Sequence, residues 1–187
     1  MKTKITLIAT ILILAFATSA LAQSWTIELR PAYQITTADF NDSELDNGIG
    51  FDGRVAYRVM PHLDIFTGWS WSNFASDDYD FEETGYDFGT RFIHPIPGMK
   101  FSYLLEAAAT FKHVEVESGD EIVADSDHSL GYQFGAGLVF PLTSNLAIIP
   151  SLRYNALNSE VKFDMSDVKI EGDLNYLSIG ANLAWKF

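Results

Sequence analysis

Cysteine is absent from the 187-residue chain. Its absence excludes a disulfide framework, a thiolate metal site and a lipid-anchored N-terminal cysteine. Bases are scarce: 12 Lys and Arg stand against 25 Asp and Glu, for a net charge of −13. A nucleic-acid partner, whose phosphates require a basic face, is not expected. Beyond residue 22 the sequence has no apolar run approaching the roughly 20 residues of a membrane-spanning helix. The chain is nevertheless 48% hydrophobic and 14% aromatic, which excludes a disordered acidic tail. Much apolar surface and much negative charge share a chain sized for one domain.

The first segment reads as an export address. Lys2 and Lys4 precede the run Ile5–Ala17, apolar except at Thr6 and Thr10, and Ala20-Leu21-Ala22 places small residues before Gln23. A basic start, an apolar middle and a small-residue cleavage site form a secretory signal peptide over 1–22. The expected mature domain is 23–187.

The mature chain alternates with period two throughout and lacks helical spacing. Eight strands are predicted: 25–34, 49–60, 63–73, 84–94, 100–113, 129–140, 146–155 and 175–187. Three connections are short and contain Pro61, Pro95 or Pro141, residues suited to turns because proline cannot donate to a ladder. Four connections, about 35–48, 74–83, 114–128 and 156–174, are long and polar. Short turns alternating with long loops describe an up-and-down meander, which closes into a barrel and removes its edges. Pro31 and Pro150 fall inside the predicted strands.

One face of these strands is almost wholly apolar. The other carries Glu28, Arg30, Asp52, Arg54, Arg58, Asp64, Asp87, Arg91, Glu106, Lys112, Arg153 and Lys186. An eight-stranded lumen is narrow and filled by side chains. An unpaired charge there costs several kcal/mol, so the charged face can point inward only as ion pairs. Hairpin register brings Arg58 toward Asp64 and Arg91 toward Glu106. The apolar face then points outward, which lipid makes stable for a closed barrel. Two aromatic belts support this: Trp25, Tyr57, Phe101, Trp185 and others near the short turns, and Tyr33, Trp69, Tyr86, Phe111 and others near the long loops. Such girdles mark a transmembrane β-barrel. The fold class expected is all-β, an eight-stranded antiparallel up-and-down transmembrane β-barrel.

The whole mature chain resembles the small eight-stranded outer-membrane barrels of Gram-negative bacteria, the outer membrane protein β-barrel domain group. That group includes the OmpX and Ail adhesins and the OmpA membrane domain. The most specific element is the final strand ending Leu183-Ala184-Trp185-Lys186-Phe187. The resemblance implies that Leu183, Trp185 and Phe187 serve as the recognition signal for the barrel-assembly machinery. It also implies outer-membrane location, contact with outer-membrane lipid and lipopolysaccharide, and a monomer. Unlike in full-length OmpA, no peptidoglycan-binding domain is expected after the barrel.

Some barrels of this size modify lipid A. His62, His94, His113 and His128 stand in turns or at strand ends, without the serine and acid spacing that a hydrolytic site requires. No enzyme and no cofactor are expected. Twenty of the 25 acids lie in or beside the four long loops. Asp42, Glu44 and Asp46 in the first loop, and Asp77, Asp78 and Asp80 in the second, offer oxygen ligands for divalent cations, without a complete binding-loop pattern. The reading that results is a structural and surface-interaction protein with a closed polar lumen and acidic outer loops. A narrow porin or small-molecule conduit is the alternative.

Overall fold

The computed structural model describes residues 25–37, 45–75, 79–119, 121–163 and 169–187. The signal segment and the candidate acids Asp42, Glu44, Asp77 and Asp78 lie outside the described residues. The described chain forms nine strands: β1 (Trp25–Thr36), β2 (Gly48–Met60), β3 (Leu63–Ala75), β4 (Asp80–Pro95), β5 (Ser102–Ser118), β6 (Glu121–Ser126), β7 (Ser129–Pro141), β8 (Leu146–Phe163) and β9 (Lys169–Lys186). Each pairs antiparallel with its neighbours, and β1 pairs with both β2 and β9. With β4 on β5, β5 on β7, and β7 on β8, the ladder returns to its start. Among the described residues these pairings close the sheet into a ring.

Nine strands fill eight places, so the eight-place ring read from sequence holds, with one place divided between two strands. β6 and β7 share one place between β5 and β8. β5 faces β7 as far as Lys112↔Ser129 and then faces β6 from Glu115↔Asp125. β8 faces β7 as far as Gly131↔Leu157 and β6 from Ser126↔Val161. Both registers slip by one residue across this junction, as at a β-bulge. Beyond it β5 and β6 close in a tight turn at Gly119, whose φ of +66° suits glycine.

The structure corrects the extent of the loops. Much of 114–128 and 156–174 is paired strand, and β4 begins at Asp80 rather than Thr84. The reason is visible along β5. Glu106, Thr110 and Lys112 are buried and Leu105 and Phe111 exposed. Past Lys112 it is Val114 and Val116 that are buried, while Glu115 and Glu117 are partly exposed. The in-and-out alternation never changes phase, but the polarity of its two faces inverts. Polar outer faces imitate loop composition. The barrel is apolar-out through its lower part and acidic-out above it.

Pro31 and Pro150 fit within strands because each has one gap in its ladder. Pro31 faces Phe51 on β2, while the β1–β9 pairing skips from Leu29 to Ala32. Pro150 faces Ala181 on β9, while the β7–β8 pairing skips from Gly137 to Phe140. A missing donor is tolerated at such breaks.

The interior is layered. At the long-loop end Leu45, Phe74, Phe81, Val114, Leu157 and Leu174 form an apolar plug with Tyr176 and others. Leu104, Ile149 and Ala184 form a smaller apolar patch near the short turns. Between them lies a charged middle. The outward surface is apolar instead: Phe88 is 64% exposed, Phe134 56% and Trp185 53%.

Candidate functional site

The charged middle is built by register. β1 and β2 place Arg30 opposite Asp52 and Glu28 opposite Arg54. β3 and β4 place Asp64 opposite Arg91 and Gly68 opposite Asp87. Glu28, Arg30, Asp52, Arg54, Asp64, Asp87, Arg91, Glu106 and Arg153 are all buried. Arg58, nearer the short-turn mouth, is the partly exposed member.

Asp52 is the most shared acid. Arg30 lies 3.2 Å from it, Arg54 3.5 Å and Arg153 2.9 Å. Glu106 takes Arg54 at 3.0 Å and Arg153 at 2.5 Å. Arg54 also meets Asp87 and lies over the Phe66 ring at 4.5 Å. Asp64 receives Arg58 at 2.7 Å and Arg91 at 3.0 Å, and Arg91 closes on Glu28. Arg91 and Glu106 are ladder partners, yet Arg91 turns its hydrogen bonds to Asp64 and Glu28, and Glu106 turns to Arg54 and Arg153. Of its two ladder partners Arg91 bonds Asp64 and not Glu106, and it adds Glu28 from β1, because arginine is long enough to reach across a narrow lumen.

Two glycines make this reach possible. Glu106, Gly135 and Arg153 form one row on β5, β7 and β8. A Cβ on Gly135 would sit 2.8 Å from Glu106 Cγ and 3.0 Å from Arg153 Cγ. Arg54, Gly68 and Asp87 form an equivalent row on β2, β3 and β4. In each row acid and base meet above the missing side chain. The glycine-rich wall of β7 is thus filled from both sides.

Neutral groups complete the network. Arg30 donates to Ser178 Oγ at 2.8 Å and Ser151 Oγ at 3.1 Å. Asn182 donates to Glu28 at 2.8 Å. Gln133 accepts from Arg54 at 2.6 Å and donates to Asn155 at 2.6 Å. A pocket beside Arg30, Asp52, Arg54 and Arg153 measures about 10 Å³, close to one water.

Sequence reasoning missed a second buried charge site above the first. Lys112 pairs with Glu83, and Tyr176 donates to the same carboxylate at 2.7 Å. Glu83 was expected in a loop. The parity shared by Phe81, Glu83, Gly85 and Asp87 along β4 was the available signal. Among the described residues, the other acids expected in loops are largely on outer strand walls: Asp80 faces Glu117, and Glu82, Glu115 and Asp125 form one row.

Of the metal candidates, Asp46 and Asp80 are described and exposed. Among the described residues no group of three His, Asp or Glu is placed to hold a metal ion. The four histidines form two ring pairs, His62 with His94 at 4.8 Å and His113 with His128 at 5.3 Å. Leu183 and Trp185 lie on the outer face of β9, and Phe187 follows, its amide bonded to Trp25.

The short-turn mouth opens into a cavity of about 400 Å³. Arg58 of β2, Arg91 of β4 and Lys186 of β9 line it with Ile93, Val139 and Ile149.

A family model described as "Outer membrane protein beta-barrel domain" matches residues 8–187. No curated protein sequence matches the chain. Among solved structures, Neisserial surface protein A is similar at TM-score 0.66 and 15% identity, over 87% of this chain and 97% of that one. OprG from Pseudomonas aeruginosa is similar at 0.57 and 9%, over 87% and 97%. Outer membrane protein W of E. coli is similar at 0.56 and 10%, over 89% and 98%. At these identities the likeness is one of fold.

Proposed function

The chain belongs to the outer membrane protein beta-barrel domain family, and from that premise we propose that it is a structural and surface-interaction protein with a non-conducting lumen. The observation that carries this reading is the charged plug. Nine buried charged residues share hydrogen bonds and ion pairs across the lumen, and the pocket beside Arg30, Asp52, Arg54 and Arg153 holds only about 10 Å³. Opening a path for solutes would strip several buried ions of partners at once, at several kcal/mol each. The apolar plug above adds a second barrier.

In this reading the acidic upper barrel faces the exterior and the proline turns face the periplasm, after cleavage of the segment 1–22. Leu183, Trp185 and Phe187 present the assembly signal. The outward carboxylates of β4, β5 and β6 keep the surface soluble and meet lipopolysaccharide through shared divalent cations. The histidine pairs sit apart from the lumen and take no part in a reaction.

Conductance decides between this role and a narrow pore. Folded protein in planar bilayers should give no unitary steps under applied voltage. Stable steps of one size would establish the conduit instead.

A further inference from the structure

The cavity at the short-turn mouth has two unlike walls. Arg58, Arg91 and Lys186 stand on the arc β9–β1–β2–β3–β4. Val139, Ala147 and Ile149 stand on the opposite arc, β7 and β8, and pack with Leu104 of β5, Ile93 of β4 and Ala184 of β9. Lys100 adds a further base from the β4–β5 turn. Against these four bases the lining holds one acid, Glu28, already engaged by Arg91 and Asn182. Asp64, behind Arg58, is shared between Arg58 and Arg91. Among the described residues no carboxylate pairs with Lys100 or Lys186. The charge balance that closes the middle of the lumen fails here, leaving a net positive wall beside an apolar one.

We infer that this mouth is a binding site for a small anionic amphiphile: a carboxylate or phosphate head on a single short apolar chain. The head meets Lys186 and Arg58, and the chain lies along Val139, Ala147 and Ile149. A volume of about 400 Å³ falls within the range of small-molecule sites, which are mostly apolar with a few placed polar groups. A bare anion would leave the apolar wall wet, and a neutral chain would leave the cations unused. The site lies below the charged plug, so it is a blind pocket and not a stretch of a pore. It goes beyond the surface role proposed above, and its occupancy does not depend on that role.

Isotope-labelled full-length mature protein, folded in phosphatidylcholine nanodiscs, is titrated with octanoate, octyl phosphate, octanol and inorganic phosphate. Amide shifts of Ala147 and Ala184 report the site, and those of Ala107 and Ile179 report general partition into lipid. Octanoate, octyl phosphate or both should saturate the site reporters at concentrations about tenfold below octanol. Whichever of the two binds more tightly identifies the head as carboxylate or phosphate. Lys186→Gln should weaken that binding about tenfold, and Ala147→Phe, which fills the apolar wall, should abolish it. Arg58→Gln replaces Lys186→Gln if the latter does not assemble. Equal binding of octanol, equal binding of inorganic phosphate, or binding unchanged by the substitutions would overturn the inference.

Discussion

Arg153 on β8 spans the lumen to Asp52 on β2, its Nη1 2.9 Å from both carboxylate oxygens. The two residues are 101 positions apart in sequence and share no ladder. Arg30 reaches Asp52 across one strand pair, and Arg58 reaches Asp64 within one hairpin. Those contacts are available to a partly formed sheet. The Arg153–Asp52 contact exists only when the ring has closed. Charge neutralisation in this barrel is therefore tied to closure, and an open sheet would leave arginines unpaired in an apolar surround.

Asp52 is consequently the acid whose loss costs most. Asp52→Ala leaves Arg30, Arg54 and Arg153 facing one another with less counter-charge. Breaking a buried pair by removing one partner costs about 3–5 kcal/mol. Urea unfolding in lipid vesicles, followed by tryptophan fluorescence, measures it. Asp80→Ala, on the exposed outer wall, should change stability by no more than about 0.5 kcal/mol. Equal effects of the two would refute the closure argument.

The glycines between acid and base give a second test. Gly135→Ala drives a Cβ into Glu106 and Arg153, and overpacking of this kind costs about 1–3 kcal/mol. Gly53 on β2 is the internal control, because its nearest neighbour would be Leu29 Cδ2 at 3.6 Å. With room available, Gly53→Ala should stabilise by about 0.5–1 kcal/mol through strand conformational entropy. The same unfolding measurement separates the two signs. If Gly135→Ala is neutral, the row does not depend on the missing side chain.

How much of this was legible in the sequence follows from what period two encodes. It encodes sidedness, so Glu28, Arg30, Asp64 and Arg91 could be assigned to one face from alternation alone. It also encodes register within a hairpin, hence the proximity of Arg58 and Asp64. It does not encode which of several reachable carboxylates an arginine selects, and Arg91 selects its β3 ladder partner Asp64 and the remote Glu28 over its β5 ladder partner Glu106. Nor does composition mark the end of a strand that leaves lipid. Glu115 and Glu117 resemble loop residues although the backbone beneath them is still paired. Glu83 was lost to the same inversion. Of its partners, Lys112 comes from the other strand of the same hairpin and Tyr176 from a strand distant in sequence.

That inversion predicts where lipid ends. Along the outer face of β5, arginine substitutions should read out depth. Ala107→Arg, beside Leu105, should cost about 2–4 kcal/mol, the penalty of a base on the lipid face near the bilayer midplane. Glu117→Arg should cost nothing, since it lies opposite Asp80 in water. His113→Arg, between them, should cost about 0–1 kcal/mol, as at an interface. Refolding equilibria in vesicles give the profile. A uniform cost along the strand would contradict a boundary near Lys112.

The row of like charges at Glu82, Glu115 and Asp125 makes the last prediction. Like charges directly opposite in a ladder are destabilising, on the scale of about 0.2–1 kcal/mol per pair. Glu82→Gln should therefore stabilise the upper barrel at low ionic strength by about that amount. Screening shortens from about 30 Å at 0.01 M salt to about 3 Å at 1 M, so the gain should vanish at high salt. Asn73, the other ladder neighbour of Glu82, is neutral and offers no compensating charge. Unfolding of the variant and parent at both salt concentrations gives the difference. A gain that persists at 1 M salt would mean that the substitution acts through packing or strand propensity, and that the carboxylate row is not under electrostatic strain.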